Sequence, residues 1–420
     1  MMTKTEISFV CSICGRPYEM GDQEQHFCPE CHGSIQPAYD LEGNREHYRE
    51  IIQKGSEGGI WGYRELLPVD PDMEPVTLGE GGTPLVKADN LARELGVARM
   101  YLKNETLNPS HTYKDRFATI AVSMARHRGK DTIALGSAGN AAAALSAFAA
   151  KGDMGCFVLL PPGAVRERAW QIRGYGAKLI TMEETIHDCI LMAKQGEELF
   201  GWENVSTSTC FHPWAAEGYK TIAYEMARQL DFKLPDWIVC PIGGGALMSK
   251  IYRGCEDMLA LGLIDKLPRF VGVQGDGCAP LVKAYREGKT TADEWGVPNT
   301  IAFAIADVCA FESTTVLSLI RKTGGCAVDL SDEEILDAMR LTGRKEAVLA
   351  EPASATTVAA VKKLVEQGVI KPEDSVACII SGNGVRDLPL FVDGLPAVPT
   401  VKRNDVPALR EAVTNYQKGN

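Results

Sequence analysis

Four cysteines near the amino terminus have the spacing of a metal site. Two Cys-x2-Cys pairs, Cys11 with Cys14 and Cys28 with Cys31, are separated by thirteen residues, and glycine or proline accompanies each pair. Each pair can therefore form a tight turn, and four thiolates satisfy the tetrahedral geometry of structural zinc. The spacing predicts a zinc ribbon over residues 1–40. A thiol redox pair and a nucleic-acid reader are the alternatives, and the acidic interval between the pairs disfavours the reader because phosphate binding needs clustered Lys and Arg.

Lys114 is the second candidate for chemistry. It lies in the run Asn-Pro-Ser-His-Thr-Tyr-Lys-Asp-Arg at residues 108–116, where a turn leads into a predicted helix. The helix dipole opposes a cation at this end, which predicts a lowered pKa for Lys114. Such lysines act as nucleophiles and Schiff-base partners. A solvated surface lysine beside Asp115 and Arg116 has the same spacing, so the pattern alone leaves both interpretations open.

Two further segments predict anion sites. In each, a short apolar run is followed by small residues and then by a helical pattern: Gly-Ser-Ala-Gly-Asn at 136–140, and Gly-Gly-Gly-Ala-Leu at 243–247. Small residues let backbone amides approach an anion at the positive end of a helix. Neither segment has the Gly-Lys-Ser/Thr of nucleotide hydrolases or the G-x-G-x-x-G of dinucleotide-binding folds. A tight strand-to-helix connection is the alternative for each segment.

The elements around these segments alternate between short apolar runs and longer helical patterns. Continuous apolar runs are typical of parallel strands that are covered on both faces. The predicted strands are 100–102, 132–135, 156–160, 178–181, 237–242, 270–273 and 376–380. The predicted helices are 115–128, 141–150, 215–230, 247–259, 332–344 and 353–366. This alternation predicts an α/β protein with parallel-rich sheets, two lobes and a ligand at the carboxyl ends of the strands.

The bulk composition is that of an ordinary globular protein. Of 420 residues, 45% are hydrophobic and 24% are charged, and the net charge is −11. The acidic balance disfavours nucleic acid as a partner. The chain has no apolar stretch of about 18 residues and no signal-like start, so no membrane partner is expected. These features, together with nine scattered single cysteines, predict a cytoplasmic location.

Six segments together resemble the threonine synthase family of fold-type II pyridoxal-phosphate (PLP) enzymes. The resemblance covers nearly the whole chain and includes the ribbon that some members carry. The segments are 78–85, 108–116, 139–140, 217–221, 351–355 and 381–384. The resemblance implies a two-lobed fold like that of the tryptophan synthase β subunit, a catalytic core over residues 41–420, a small lobe at about 115–215, and a homodimer.

The resemblance also implies site roles. Lys114 is expected to be the catalytic residue and to hold PLP as a Schiff base. Asn140 is expected to hydrogen-bond the phenolic oxygen of the cofactor, and Ser381 to face the pyridine nitrogen. The residues expected at the cofactor phosphate are Gly243, Gly244, Gly245, Ala246 and Leu247. The residues expected at the substrate carboxylate are Ser137, Ala138, Gly139 and Asn140.

The implied activity is that of threonine synthase, which converts O-phospho-L-homoserine and water to L-threonine and phosphate. The chain departs from the family pattern at Ala215, where an arginine usually binds the substrate phosphate. It also has His111 in place of glycine. His111 and His212 are predicted to bind substrate or to form an acid-base pair, and Cys210 is predicted to line the same pocket. The alternatives are β-elimination or β-replacement on another amino acid, and a non-catalytic PLP-fold binding module.

Overall fold

The structure is a computed structural model. It describes residues 8–18, 26–55, 58–137, 139–162, 166–183, 185–207, 212–393, 395 and 397–418. Two compact units are present, 1–386 and 387–420. The second unit contains helices α14 (Leu388–Val392) and α15 (Val406–Lys418). The domain limits predicted from the sequence stay predictions.

The amino-terminal segment forms a small antiparallel sheet with strand order β2-β1-β3. Its strands are β1 (Ser8–Cys11), β2 (Pro17–Tyr18) and β3 (Ile35–Ala38). The Thr315 hydroxyl accepts a hydrogen bond from the Ser34 amide at 3.0 Å and lies 3.2 Å from the Ser12 hydroxyl. Phe9 packs edge-on against Trp214, with ring centroids 4.3 Å apart. These contacts fix the small sheet to the rest of the first unit.

The larger sheet has six strands in the order β12-β11-β10-β13-β5-β4. All pairs are parallel except β4 with β5. Every residue of β10 and β13 is buried, which is the reason that these runs are continuously apolar. The strands are β4 (Leu85–Lys87), β5 (Arg99–Asn104), β10 (Trp237–Pro241), β11 (Arg269–Gly275), β12 (Cys326–Leu330) and β13 (Ser375–Ile380).

The smaller sheet has four parallel strands in the order β8-β7-β6-β9. They are β6 (Thr132–Gly136), β7 (Gly155–Leu160), β8 (Lys178–Thr181) and β9 (Glu203–Asn204). The seven strands predicted from the sequence are all present. The prediction omitted β4, β9, β12 and the ribbon strands.

Helices connect the strands of both sheets, and the six predicted helical segments are all helical. The segment predicted at 215–230 consists of three consecutive pieces, α7 (Pro213–Ala216), a 3-10 turn (Glu217–Lys220) and α8 (Thr221–Gln229). The remaining α-helices described in the first unit are α1 (Arg45–Lys54), α2 (Asp89–Leu95), α3 (Asp115–His127), α4 (Asn140–Lys151), α5 (Arg166–Gly174), α6 (Ile186–Phe200), α9 (Ala246–Ala260), α10 (Pro280–Arg286), α11 (Ser313–Thr323), α12 (Asp332–Glu346) and α13 (Pro352–Glu366). Within the described part of the chain, no helix has both the length and the apolar character needed to span a bilayer.

Candidate active site

Lys114 lies at the start of α3, and its side chain is half-buried. Its Nζ lies 4.8 Å from the ring centroid of Tyr113 and 5.7 Å from that of Tyr219. Burial lowers the pKa of the Lys114 ammonium, but the phenols of Tyr113 and Tyr219 raise it by more, so the pKa lies above that of an ordinary lysine. The lowered pKa predicted from the helix terminus was therefore wrong. The groups that raise this pKa are the two phenols that flank the amine and the carboxylate of Asp307.

Backbone hydrogen bonds attach the Lys114 segment to the residues that follow β13. The Tyr113 amide donates to the Ser381 carbonyl at 2.9 Å, and the Thr112 hydroxyl donates to the same carbonyl at 3.1 Å. The same two segments are joined again where the Asn383 amide donates to the His111 carbonyl at 3.1 Å. Two segments about 270 residues apart in sequence thus meet at the carboxyl end of one strand.

The Ser381 side chain has a neutral environment. Its hydroxyl lies 3.0 Å from the hydroxyl of Ser354, which in turn accepts a hydrogen bond from the Gly382 amide at 2.8 Å. Ser354 and Ser381 are both buried. A ring nitrogen at this position would face hydroxyls rather than an ionised acid.

Asn140 makes polar contacts with two residues that are distant from it in sequence. Its Nδ2 donates to the Glu351 carboxylate at 2.9 and 3.0 Å, and its Oδ1 accepts from Arg386 at 2.6 Å. The second guanidinium nitrogen of Arg386 donates to the Ser110 carbonyl at 2.8 Å. Asn140 begins α4 directly after the turn that follows β6, and Arg386 links its amide to the Lys114 segment. Sequence reasoning did not name Arg386, although it lies two residues beyond the Ser-Gly-Asn-Gly motif.

The turn that precedes Asn140 contains three residues predicted to bind the substrate carboxylate. The Ser137 amide donates to the Leu159 carbonyl at 3.1 Å, and the Ser137 hydroxyl accepts from the Gly139 amide at 3.3 Å. Ser137 and Gly139 are half-buried. Ala138 lies outside the described residues.

The glycine turn lies between β10 and α9. Gly245 has φ +104°, a conformation that glycine adopts without strain, and it precedes the first residue of α9. Ala246 is half-buried and Leu247 is buried in the first turn of that helix. A Cβ at Gly243 would lie 2.5 Å from Oδ2 of Asp307. The turn therefore needs glycine, and its amides face an acidic side chain that sequence reasoning did not identify.

The two histidines predicted to act together have different environments. His111 is exposed, has φ +67° and places Nδ1 3.3 Å from the Thr106 carbonyl. His212 is buried with its ring centroid 5.7 Å from that of Phe117, and burial lowers its pKa to about 3. The described residues show no contact between the two rings, so the predicted acid-base pair is not formed here. Cys210, predicted to line the same pocket, lies outside the described residues.

Ala215 is fully buried in the hydrophobic core. Its side chain supplies neither charge nor a hydrogen-bond donor. The position at which the family pattern has an arginine is therefore apolar in this structure.

A buried ionic network fixes the helix that begins beside Lys114. The Arg116 guanidinium binds the Glu105 carboxylate through two hydrogen bonds of 2.8 Å and binds Glu225 at 2.6 and 2.7 Å. Lys103 donates to Glu225 at 2.6 Å. All four side chains are at most 3% exposed, and their formal charges cancel. The network connects β5, α3 and α8, so the backbone that carries Lys114 is held from three elements.

The four amino-terminal cysteines converge. The Sγ atoms of Cys11 and Cys31 are 3.3 Å apart, those of Cys14 and Cys28 are 3.7 Å apart, and all four lie within 4.8 Å of one another. Cys11 and Cys28 are buried, whereas Cys14 is exposed.

Comparison with known proteins identifies the family. The model of the family described as "Pyridoxal-phosphate dependent enzyme" matches residues 76–382. A threonine synthase of Methanosarcina acetivorans is 37% identical over 409 residues, which cover 97% of this chain and 99% of that relative. The chain belongs to the threonine synthase family. A threonine synthase of Methanocaldococcus jannaschii is also 37% identical to this chain. The match covers 90% of this chain and 92% of that relative.

Solved structures with this fold are more distant in sequence. An L-serine ammonia-lyase from Rhizomucor miehei matches with a TM-score of 0.62 at 22% identity and covers 74% of this chain and 95% of its own. A threonine deaminase from Solanum lycopersicum matches with a TM-score of 0.62 at 19% identity and covers 89% of this chain and 93% of its own. These likenesses establish the fold-type II arrangement of mixed and parallel sheets. The protein is an enzyme of the PLP-dependent class, as the family match indicates.

Proposed function

We propose that the protein is a threonine synthase that converts O-phospho-L-homoserine and water to L-threonine and phosphate. The full-length similarity to relatives of that name supports this assignment. The observation that carries it is the attachment of the Lys114 segment to Ser381, with Asn140 held nearby by Glu351. This arrangement supports a site that combines the Lys114 amine, the Ser381 hydroxyl and the Asn140 amide.

The residues present fit PLP. The glycine turn offers backbone amides at the start of a 15-residue helix, α9, where an anionic phosphate is favoured. Lys114 would hold the cofactor through its amine, Ser381 would accompany the ring nitrogen, and Asn140 would hydrogen-bond the ring oxygen. When bound, PLP withdraws electrons from the α-carbon of an attached amino acid.

The proton chemistry is assigned to Lys114. Its amine would remove and return the proton at the substrate α-carbon, because the lysine that holds the cofactor would lie beside that carbon. Ser137 and the following amides would orient the substrate α-carboxylate, and Ala138 and Gly139 would contribute through their backbones.

A second candidate function is favoured by one specific observation. Ala215 is buried and uncharged, so the usual cationic partner of a substrate phosphate is absent at that position. This favours β-elimination or β-replacement on an amino acid without a γ-phosphate. Threonine synthase remains the first candidate because the full-length relatives carry that name.

The test has two stages. Purified wild-type protein is expected to absorb in the visible range of PLP bound to lysine, and Lys114→Ala is expected to lose that band while Lys87→Ala, an exposed lysine beside Asp89, keeps it. Phosphate release is then measured with O-phospho-L-homoserine, with L-serine, L-threonine and O-phospho-L-serine in parallel. Turnover of one of the other amino acids without phosphate release from phosphohomoserine would establish the second candidate. A bound cofactor with no turnover of any of them would favour a binding module.

We also propose that the four amino-terminal cysteines bind one structural Zn2+. Four sulfurs around zinc at about 2.3 Å are separated from one another by about 3.8 Å. The observed Sγ separations include 3.3 and 3.7 Å and none exceeds 4.8 Å, so small adjustments would complete a tetrahedral set. One equivalent of zinc is expected by metal analysis of the wild type. Cys28→Ser should lose it and Cys326→Ser, in β12, should keep it. Metal-free wild-type protein of unchanged thermal stability would contradict the proposal.

We further propose that the enzyme is a cytoplasmic homodimer. All twelve cysteines within the described part of the chain are free thiols, as expected in a reducing compartment. The dimer rests on the family resemblance alone. Light scattering of the purified holoenzyme is expected to give twice the chain mass of 45.6 kDa.

A further inference from the structure

Asp307 is an acidic side chain in the proposed cofactor site that no motif identified. Its Oδ2 lies 2.5 Å from the position of a Cβ on Gly243 and 3.7 Å from that of a Cβ on Gly244. The Gly244 amide acts on this carboxylate and favours its charged form. The Glu312 amide donates to the Gly244 carbonyl at 2.8 Å, which fixes the loop that carries Asp307 against the glycine turn.

Asp307 retains exposed surface, and desolvation by the surrounding protein raises the pKa of its carboxyl, although the Lys114 ammonium and the Gly244 amide oppose the rise. The other titratable groups that face it are Cys278 and Cys309, whose pKa values rise mainly through burial and in part through the charge of Asp307. Lys114 is thus the cation that acts on the Asp307 carboxylate. Among the interactions of the described residues, no second cation offsets this negative charge.

We infer that Asp307 competes with the cofactor phosphate for the amides of the glycine turn, so that a charged Asp307 weakens PLP binding and a neutral one permits it. A phosphate dianion placed on the Gly243 and Gly244 amides would lie beside the carboxylate, and like charges at such a distance repel. The inference rests on the proposed cofactor site but not on the identity of the substrate. Asp307 accordingly opposes cofactor loading while its carboxyl is charged.

The experiment measures the dissociation constant of PLP for wild type, Asp307→Asn and Asp307→Ala from pH 6 to pH 8.5. Asp293→Asn, an exposed carboxylate paired with Lys289, is the matched control for the loss of one charge. The readout is the visible absorbance of bound cofactor during titration, and thermal unfolding verifies that each variant is folded. Pyridoxal, which lacks the phosphate, is titrated in parallel.

At pH 8.5 both Asp307 variants are expected to bind PLP about tenfold more tightly than wild type, the order of magnitude of one unfavourable charge pair close to solvent. Asp293→Asn should match wild type, and pyridoxal should bind wild type and the Asp307 variants equally.

Three results would overturn the inference. Equal PLP affinities at every pH would show that the carboxylate does not meet the phosphate. Weaker binding by the variants would show that Asp307 holds the cofactor. A pyridoxal difference as large as the PLP difference would place the effect at Lys114 instead. Failure of the proposed function is separable, because absence of a Lys114-dependent band in wild type would remove the cofactor itself.

Discussion

His212 provides a direct test of how burial controls charge in this protein. The side chain is 4% exposed, and burial, with a smaller contribution from Arg128, lowers its pKa to about 3. In the unfolded chain the pKa of histidine is about 6.5. The folded state therefore binds its proton less readily, so the stabilisation from a neutral His212 is complete above pH 6.5 and is lost as the pH falls towards 3.

The magnitude follows from the two pKa values. At pH 5, about 1.5 units below the pKa of histidine in the unfolded chain, protonation of that histidine lowers the free energy of the unfolded state by about 2 kcal/mol. A chain of 420 residues unfolds with an entropy of roughly 0.9 kcal/mol per degree. The melting temperature of wild type should therefore fall by about 2 °C more between pH 7.5 and pH 5 than that of His212→Gln, which cannot be protonated.

Differential scanning fluorimetry at the two pH values measures this difference. His127→Gln, at a partly exposed histidine 3.6 Å from Asp70, controls for the loss of an imidazole. Parallel shifts in wild type and His212→Gln would refute the reasoning, since a buried neutral histidine must make stability depend on pH. A His212 that is neutral at pH 7 also cannot donate a proton as a general acid.

Three further predictions concern the site. Arg116→Met leaves two buried carboxylates with only one cation, so the free energy of unfolding in urea should fall by about 3–5 kcal/mol. The control Arg126→Met, at an exposed arginine, should lose less than about 1 kcal/mol. Equal losses in the two variants would contradict a stabilising role for the buried network. Gly243→Ala places a Cβ 2.5 Å from a carboxylate oxygen and should weaken PLP binding at least about tenfold with an unchanged circular dichroism spectrum; undiminished binding would show that the turn can shift. His111→Gly should change the free energy of unfolding by less than about 1 kcal/mol, whereas the β-branched His111→Val should lose about 1–2 kcal/mol because φ is +67°; equal stability of the two variants would argue against strain at this position.

The elements of the fold were largely predictable because their patterns are local. The buried strands β10 and β13 are continuous apolar runs, and α12 begins at a capping box that joins Ser331 and Glu334. The short strands were missed for a physical reason. Glu203–Asn204 forms β9 through pairing with β6 rather than through its own propensity.

The site was predictable only where its residues belong to motifs. Lys114, Asn140 and Ser381 are each identifiable from their neighbours in the sequence. Asp307 and Arg386 are not, because their importance comes from spatial contacts with Gly243 and Asn140 that no local pattern encodes. The pKa of Lys114 was mispredicted for the same reason, since one of the two aromatic rings beside it comes from a distant segment.

The position of β13 in the sheet has a consequence for biosynthesis. The strand lies between β10 and β5 in space, yet it is the last of the sheet to leave the ribosome. The four-stranded sheet, complete by residue 204, can form during synthesis, whereas the six-stranded sheet stays divided into β4–β5 and β10–β12 until residue 380 is translated. Nascent chains and truncations that end before Ser375 expose two unpaired edges, β5 and β10, each of which can pair with another chain. Chaperone dependence and aggregation of this enzyme should therefore be concentrated in the interval before its last strand is made.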